Sequence, residues 1–122
     1  MARYVTFFSY TADAAARMVE RPADRAQAAR TVIEAAGGRL EAFYWMFGHY
    51  DGLVIYEVPD ARIAAAVTIA VATSGRLKTL KTQQLLDSAE ARAALEHARA
   101  VALTYEPPGG RGPWREEYDR LG

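Results

Sequence analysis

The chain has 122 residues, enough for one domain whose hydrophobic core needs no disulfide or metal to stabilise it. Its 15 basic and 15 acidic side chains cancel. This balance argues against a nucleic-acid-binding protein, because neutralising phosphates normally requires a basic excess. The chain contains no cysteine, so disulfides, thiol nucleophiles and thiolate metal sites are excluded.

Membrane-spanning and export segments are not expected from the apolar pattern. The longest apolar run, Ile63 to Ala72, is interrupted by Thr68 and is far shorter than the roughly 18 residues that a spanning helix needs. The first residues run directly into a strand-like segment, without the apolar stretch and cleavage site of a signal peptide. We therefore expect a cytoplasmic protein that does not bind membranes.

The first half of the chain predicts a strand, two helices and a hairpin. Aromatic and β-branched residues favour the strand. Apolar residues then recur at helical spacing in two segments, which Pro22 separates, and paired glycines end the second segment. A glycine-flanked turn joins two more apolar strands. The predicted elements are strand Tyr4–Tyr10, helices Ala12–Glu20 and Pro22–Ala36, and strands Leu40–Phe47 and Leu53–Val58 around the turn Gly48–Gly52.

The second half predicts two helices that flank a strand, followed by a proline- and glycine-rich end. Asp60 is placed to cap the first of these helices, and Asp87 with Glu90 has the spacing of a capping box. We divide the chain into a domain over 1–86, a helix with a short extended segment over 87–106, and a tail over 107–122. The predicted elements are helix Ala61–Thr73, strand Arg76–Leu85, helix Ser88 to about Arg99, and the extended segment Val101–Tyr105. For Arg76–Leu85, a helix is the alternative.

The order of elements in residues 1–86 predicts the fold. Strand, helix, strand, strand, helix, strand is the βαββαβ order of the ferredoxin-like fold, which has a four-stranded antiparallel sheet. Right-handed connections place both helices on the same face of that sheet. The predicted fold class is therefore α+β and ferredoxin-like, extended by a C-terminal helix and tail.

None of the first three strands has a polar face, although two helices cover only one side of a sheet. An uncovered apolar face of this size exceeds what a monomer usually shows. We expect the same face of a second subunit to cover it, giving a two-fold dimer or a multiple of it. The alternative is that the C-terminal helix and tail of the same chain cover it. In the second strand, strict alternation places Leu40, Ala42, Tyr44 and Met46 on one face and Glu41, Phe43, Trp45 and Phe47 on the other.

The end of the chain contains a short amphipathic stripe. Trp114, Tyr118 and Leu121 lie on one side of a predicted helix. A helix this short is unstable alone in water, so we expect it to dock on a partner subunit or across the sheet.

The hairpin and the start of the next helix contain Phe43-Tyr44, Gly48-His49-Tyr50-Asp51 and Val58-Pro59-Asp60. By these residues the chain resembles the GYD-domain family of small bacterial proteins, whose name matches Gly48, Tyr50 and Asp51. The resemblance covers residues 3 to about 86 and implies a dimeric α+β barrel, in which two ferredoxin-like sheets pack face to face, with no assigned function. Arg21 departs from the small hydroxyl or acidic residue that the family tends to have before the proline.

The turn of this hairpin offers two catalytic candidates, His49 and Asp51. Histidine titrates near neutral pH, so with Tyr50 and Asp51 it can form a proton-transfer or recognition cluster at the mouth of a cavity. The alternative is structural. Gly48 and Gly52 then supply unusual backbone conformations, Asp51 accepts a backbone hydrogen bond, and Tyr50 packs as a lid.

Aromatic side chains on the first three strands predict an apolar ligand pocket. Phenol hydroxyls in an otherwise apolar wall suit a small apolar or aromatic ligand. The alternative is that the same rings form the packed core of a dimer. The predicted ligand-binding residues are Tyr10, Tyr44, Trp45, His49, Tyr50 and Tyr56.

Neither a cofactor nor a metal is predicted. The two histidines, His49 and His97, lie on different elements without ligand spacing, and the sequence has no phosphate-binding loop and no nucleophile elbow. Arg76, Lys78 and Lys81 form a small basic cluster on a predicted edge strand. Lysines there usually discourage edge-to-edge pairing, and binding of an anion is the alternative.

Three functions follow from these observations. The first is a homodimeric module that binds or senses a small molecule. The second is a cofactor-independent small oxygenase or isomerase that uses His49 and Asp51; it rests on fold analogy, which does not establish an enzyme. The third is a structural or interaction protein without a ligand. A titratable group inside a cavity would indicate the enzyme, a cavity without such a group the binding module, and a packed interior the structural protein.

Overall fold

The computed structural model describes residues 1–110 and residue 121. The chain divides into two compact units, Met1–Leu85 and Leu86–Gly122. The described part of the second unit holds helix α4 (Ser88–Ala102). The first unit holds β1 (Ala2–Tyr10), α1 (Ala12–Glu20), α2 (Arg25–Ala35), β2 (Arg39–Trp45), β3 (Gly52–Val58), α3 (Ala61–Ala72) and β4 (Leu77–Leu85).

The four strands form one antiparallel sheet in the order β2-β3-β1-β4. β2 and β3 are neighbours in the chain and form the predicted hairpin, whereas β4 returns to pair with the far side of β1. This order is that of the ferredoxin-like fold. The predicted α+β class with a four-stranded antiparallel sheet is therefore confirmed.

We name the sheet face that packs against α2 and α3 the first face. Ile33 of α2 and Ala64 of α3 are almost fully buried against it. Burying a large apolar side chain stabilises a fold by about 1.5–3 kcal/mol, so this layer stabilises the first unit. The sheet residues of this buried core alternate along β1 and β3: Tyr4, Phe8, Val54, Tyr56 and Val58.

The opposite side of the sheet, which we name the second face, carries the intervening residues. Val5 of β1 is buried there, and Phe7, Leu53 and Ile55 are half-buried. Apolar side chains thus occupy both faces of β1 and β3, as the sequence predicted.

β2 breaks the strict alternation that we expected. A bulge lies between Leu40 and Ala42, which pair with consecutive residues of β3, so Glu41 is an extra residue. Leu40 packs against the core on the first face, whereas Ala42 and Tyr44 lie on the second. The expectation that these three share one face was wrong, because one inserted residue shifts the two-residue period of a strand.

Two helix boundaries differ from their predictions. α2 begins at Arg25 rather than Pro22, because the carboxylate of Asp24 accepts hydrogen bonds from the first backbone N–H groups of the helix. α4 continues to Ala102 and ends in a turn, so the extended segment predicted at Val101–Tyr105 was wrong. Alanine and leucine prolong the helix here, since both have high helix propensity.

Two glycines of the hairpin are required by local geometry. Gly48 has a φ of +135°, a conformation that side chains disfavour. Gly52 pairs with Phe8 across the sheet, and a Cβ at this position would overlap the Phe8 ring. Gly52 therefore lets an aromatic ring lie directly across the strand.

None of the described helices is both long and apolar enough to cross a membrane. Of the predicted C-terminal stripe, Trp114 and Tyr118 lie outside the described residues, and Leu121 is exposed.

Candidate functional site

A cavity of about 370 Å³ lies between the first face of the sheet and helices α2 and α3. This volume falls within the range of small-ligand pockets. Most of the wall is apolar, including the rings of Phe8 and Phe43. The wall residues with polar side chains are Thr6, Tyr10, Tyr56, Thr68, Ser74, Arg25 and Arg76.

The cavity exists because small side chains of the helices face large ones of the sheet. α2 contributes Ala28 and Ala29 to the wall, and α3 contributes Ala70. Methyl groups cannot fill the space between a helix and a sheet whose aromatic rings hold the layers apart, and close packing normally requires complementary volumes. The alanine-rich sequence of the two helices thus produces the cavity.

A chain of four hydroxyls runs beside the cavity; three belong to the wall residues Thr6, Tyr56 and Thr68, and the fourth belongs to Thr82 of β4. Tyr56 Oη lies 3.0 Å from Thr6 Oγ1, which lies 2.8 Å from Thr82 Oγ1. Thr82 Oγ1 lies 2.7 Å from Thr68 Oγ1, and Thr68 donates to the Ala64 carbonyl at 3.0 Å.

The direction of every hydrogen bond among these four hydroxyls follows from the last of them, Thr68. A carbonyl only accepts, so the single proton of Thr68 is used on Ala64 and Thr68 must accept from Thr82. By the same reasoning Thr82 accepts from Thr6, and Thr6 accepts from Tyr56. All four hydroxyl protons are thus used, three within the hydroxyl chain and one on the Ala64 carbonyl. These hydroxyls have only acceptor lone pairs left for a ligand.

The two arginines of the wall differ in their pairing. Arg76 Nη1 donates to the carboxylate of Asp13 at 2.8 Å, and Asp13 also accepts from Arg17 at 2.9 Å. Arg25 Nε is buried and has no hydrogen-bond partner among the described residues. Buried nitrogens without a partner are rare in folded proteins, so Arg25 stands out in this wall.

The loop between β2 and β3 is fixed by its own polar contacts. The Asp51 carboxylate accepts the backbone N–H of Tyr10 at 2.8 Å, where the pairing of β1 with β4 is irregular. The Asp51 N–H donates to the Phe8 carbonyl at 2.9 Å, and Ser9 Oγ donates to the His49 carbonyl at 3.4 Å. These contacts attach the loop to β1.

Tyr50 of the same loop packs over the second face. Its ring centroid lies 5.2 Å from that of Phe7, and the ammonium group of Lys81 lies 5.7 Å from the centre of the Tyr50 ring. Contacts of this kind between aromatic rings and cations stabilise a packed surface. The exposed His49 ring contacts Tyr50 edge-on at 4.6 Å.

The structure does not bring all the predicted site residues together. Tyr10 and Tyr56 line the cavity, and Trp45 lies beside Tyr10 with ring centroids 5.7 Å apart. Tyr44 lies on the second face and is 63% exposed. The other predicted residues, His49, Tyr50 and Asp51, belong to the loop and are not part of the cavity wall.

A cluster of charges lies on the second face, away from these residues. Arg3 Nε donates to both oxygens of the Glu41 carboxylate, at 3.0 and 2.9 Å, and Arg3 Nη2 donates to Glu57 at 3.2 Å. Arg39 donates to Glu57 at 3.1 Å. The hydrogen bond from Arg3 holds the pKa of Glu41 below its usual value, and the effect exceeds that of partial burial, which raises it. The bulge in β2 places Glu41 in this cluster.

The cavity includes residues that the sequence did not indicate as a site. Thr6, Thr68 and Arg25 were absent from the predicted set, and only the alanines of the two helices signalled that space would remain beneath them. No group of three or more metal-ligating side chains is found within residues 1–110 and 121.

The comparison with protein families agrees with this architecture. The fold is an α+β ferredoxin-like sheet with a helix-covered cavity. The family model of the GYD domain matches residues 4–95, and the chain belongs to that family. The match confirms the resemblance seen at the hairpin and extends into α4. Comparison with curated proteins and with solved structures finds no match.

Proposed function

We propose that the protein is a homodimeric module that binds or senses a small apolar or aromatic molecule. The cavity between α2, α3 and the sheet is the observation that carries this proposal. It has the volume of a ligand pocket, a mainly apolar wall and a few polar groups, a combination typical of small-molecule sites. A cytoplasmic location stays a prediction from the sequence.

Binding is favoured over acid–base catalysis by the chemistry of the wall. The described cavity residues include no histidine and no carboxylate. General acid–base catalysis most often uses such a group, held within hydrogen-bond reach of the reacting atoms. The catalytic candidates lie in the hairpin loop instead, and the Asp51 carboxylate is used by the Tyr10 N–H. These observations favour a module that holds its ligand unchanged.

The proposal is tested by filling the cavity. We expect 2-naphthamide, a neutral aromatic probe, to bind the unaltered protein in isothermal titration calorimetry. Ala28→Leu places a larger side chain in the wall and should weaken binding by about tenfold or more, because the probe and the leucine compete for one space. Ala35→Leu is the control, since Ala35 lies on the same helix, is exposed and is not part of the wall. Equal binding by both variants would contradict the proposal.

The dimer is proposed to form through the second face. Phe7, Leu53 and Ile55 present apolar surface there, and Tyr44 adds an exposed ring. Two copies of such a face can cover each other about a two-fold axis. The dimeric arrangement implied by the family resemblance agrees with this surface.

Two neighbouring residues provide a matched test of the dimer. Tyr44→Glu places a charge on the second face, whereas Trp45→Glu places one beside the first face at similar exposure. We expect the unaltered protein and Trp45→Glu to sediment as dimers and Tyr44→Glu to dissociate, because an interface disfavours an unpaired buried charge. A single-chain species of the unaltered protein would favour the alternative, cover by the C-terminal part of the same chain.

A further inference from the structure

The guanidinium of Arg25 gives the cavity a preference for ligands with a negatively charged acceptor, which the apolar part of the wall does not provide. Arg25 is the first residue of α2, and it lines the cavity with a buried Nε that has no partner among the described residues. Leaving a buried donor unpaired is unfavourable, and more so when the donor is charged. An acceptor supplied by a ligand would remove this cost.

The charge of the wall is uncompensated at Arg25 alone. The other cavity arginine, Arg76, is paired with Asp13. Arg25 forms no ion pair among the described residues, and the wall contains no carboxylate that can reach it. A molecule that occupies the cavity can therefore supply both an acceptor for Nε and a compensating negative charge.

The hydroxyl chain determines which end of the ligand carries that charge. Tyr56, Thr6, Thr82 and Thr68 use all their protons on one another and on Ala64, so they have none for an anionic head group. A carboxylate beside these hydroxyls would meet only lone pairs. A carboxylate is therefore better placed at the unpartnered Nε of Arg25 than beside this hydroxyl chain, with the apolar body of the ligand facing the rings and alanines of the wall.

We propose that the cavity selects a small apolar monocarboxylate whose carboxylate pairs with the Arg25 guanidinium, an inference that rests on the proposed function. Arginine donates to a carboxylate through two parallel N–H groups, a geometry that is stronger than a neutral hydrogen bond. A neutral ligand of the same shape leaves Nε without a strong acceptor. The carboxylate is thus the feature by which the site distinguishes its ligand.

The test compares two probes of nearly equal shape, 2-naphthoate and 2-naphthamide, in isothermal titration calorimetry at pH 7. We expect the unaltered protein to bind 2-naphthoate about tenfold more tightly or better, since hydrogen bonds to charged groups are stronger than neutral ones. This comparison needs no variant, so it does not depend on the folding of a mutant.

Variants of one helix then assign the preference to its residue. Arg25→Met keeps an apolar stem and should remove the preference, weakening 2-naphthoate about tenfold while 2-naphthamide changes little. Arg25→Lys keeps the charge without the planar donor pair and should give an intermediate affinity. Arg30→Met is the control, because Arg30 lies on α2, pairs with Gln27 and is not part of the wall. Circular dichroism confirms that each variant is folded.

The possible failures are distinguishable. If both probes bind with equal affinity, or if Arg25→Met keeps the preference for 2-naphthoate, the assignment to Arg25 is overturned and the cavity remains a binding site. If neither probe binds the unaltered protein, the proposed function itself is overturned.

Discussion

The hairpin loop and the helix-side cavity differ in how their polar groups are paired. In the loop, the Asp51 carboxylate accepts the Tyr10 N–H and the His49 carbonyl accepts the hydroxyl of Ser9. In the cavity, the Nε of Arg25 has no partner in the described part of the chain. Paired polar groups stabilise a fold, whereas an unpaired one stabilises nothing until a ligand supplies its partner. These contacts favour the structural interpretation of the loop, which stays a prediction, and other residues form the cavity.

The largest expected effect comes from Gly52→Ala, where the loop joins the first face. The new Cβ would overlap the Phe8 ring in the core, so we expect a loss of about 3 kcal/mol in the free energy of unfolding, measured in urea. Gly75→Ala is the control: Gly75 has a positive φ, which Gly52 does not, but a Cβ there meets no atom within 4 Å, so the loss should be about 1 kcal/mol, from the backbone conformation alone. Equal losses would show that contact with Phe8 does not restrict this position.

Asp51→Ala tests whether the loop is structural. Removing the carboxylate leaves the Tyr10 N–H without its acceptor, and we expect a loss of about 2 kcal/mol in thermal or urea unfolding. Asp51→Asn keeps an acceptor oxygen and should recover part of it. His49→Ala, at an exposed ring of the same loop, should change stability by less than about 0.5 kcal/mol. A larger effect of His49→Ala than of Asp51→Ala would reverse the roles assigned to the two residues.

Thr82→Val interrupts the hydroxyl chain of the cavity at its centre. Thr6 then loses its acceptor and Thr68 loses a donor, so we expect a loss of about 1 kcal/mol in urea unfolding. Thr82→Ser keeps the hydroxyl and should cost less. Thr79→Val makes the same change on the second face of the same strand, and it should have little effect on stability. If both valine variants have the same free energy of unfolding, the hydroxyl chain does not stabilise the fold.

The smallest expected effect concerns Glu41 on the second face. Its pKa in the folded protein lies below the usual 4.5. The ionised carboxylate therefore stabilises the fold above pH 4.5, and this contribution is lost as the pH falls through the lowered pKa. Glu41→Gln should therefore be less stable than the unaltered protein at pH 7, by less than about 1 kcal/mol because water screens the cluster. The difference should shrink in urea unfolding below pH 4.5. Glu34→Gln is the control, and a constant difference would contradict the pairing with Arg3.

The local sequence was sufficient to predict most of the fold. Aromatic and β-branched residues predicted β1, and the capping residues Asp60 and Asp87 predicted the starts of α3 and α4. The bulge at Glu41 was not predictable, because an inserted residue leaves the composition of a strand unchanged and shifts only its register.

The site was less predictable than the fold, for a physical reason. Tyr10 and Tyr56 were predicted because aromatic residues are conspicuous in a strand. A cavity forms where the side chains of two layers do not fill the space between them. It therefore depends on which residues of a helix face which residues of a sheet. That Ala28 and Ala29 leave space unfilled is evident only once the register of α2 on the sheet is known.

The Ala64 carbonyl determines more than one hydrogen bond. A hydroxyl that stands alone in a binding site rotates to donate to one ligand or accept from another. Here no hydroxyl of the chain can rotate by itself, because two protons would then meet or the carbonyl would lose its donor. This part of the wall therefore has constant polarity and does not adapt to its occupant. Two ligands of identical shape, one with a donor and the other with an acceptor beside these hydroxyls, should therefore differ in affinity.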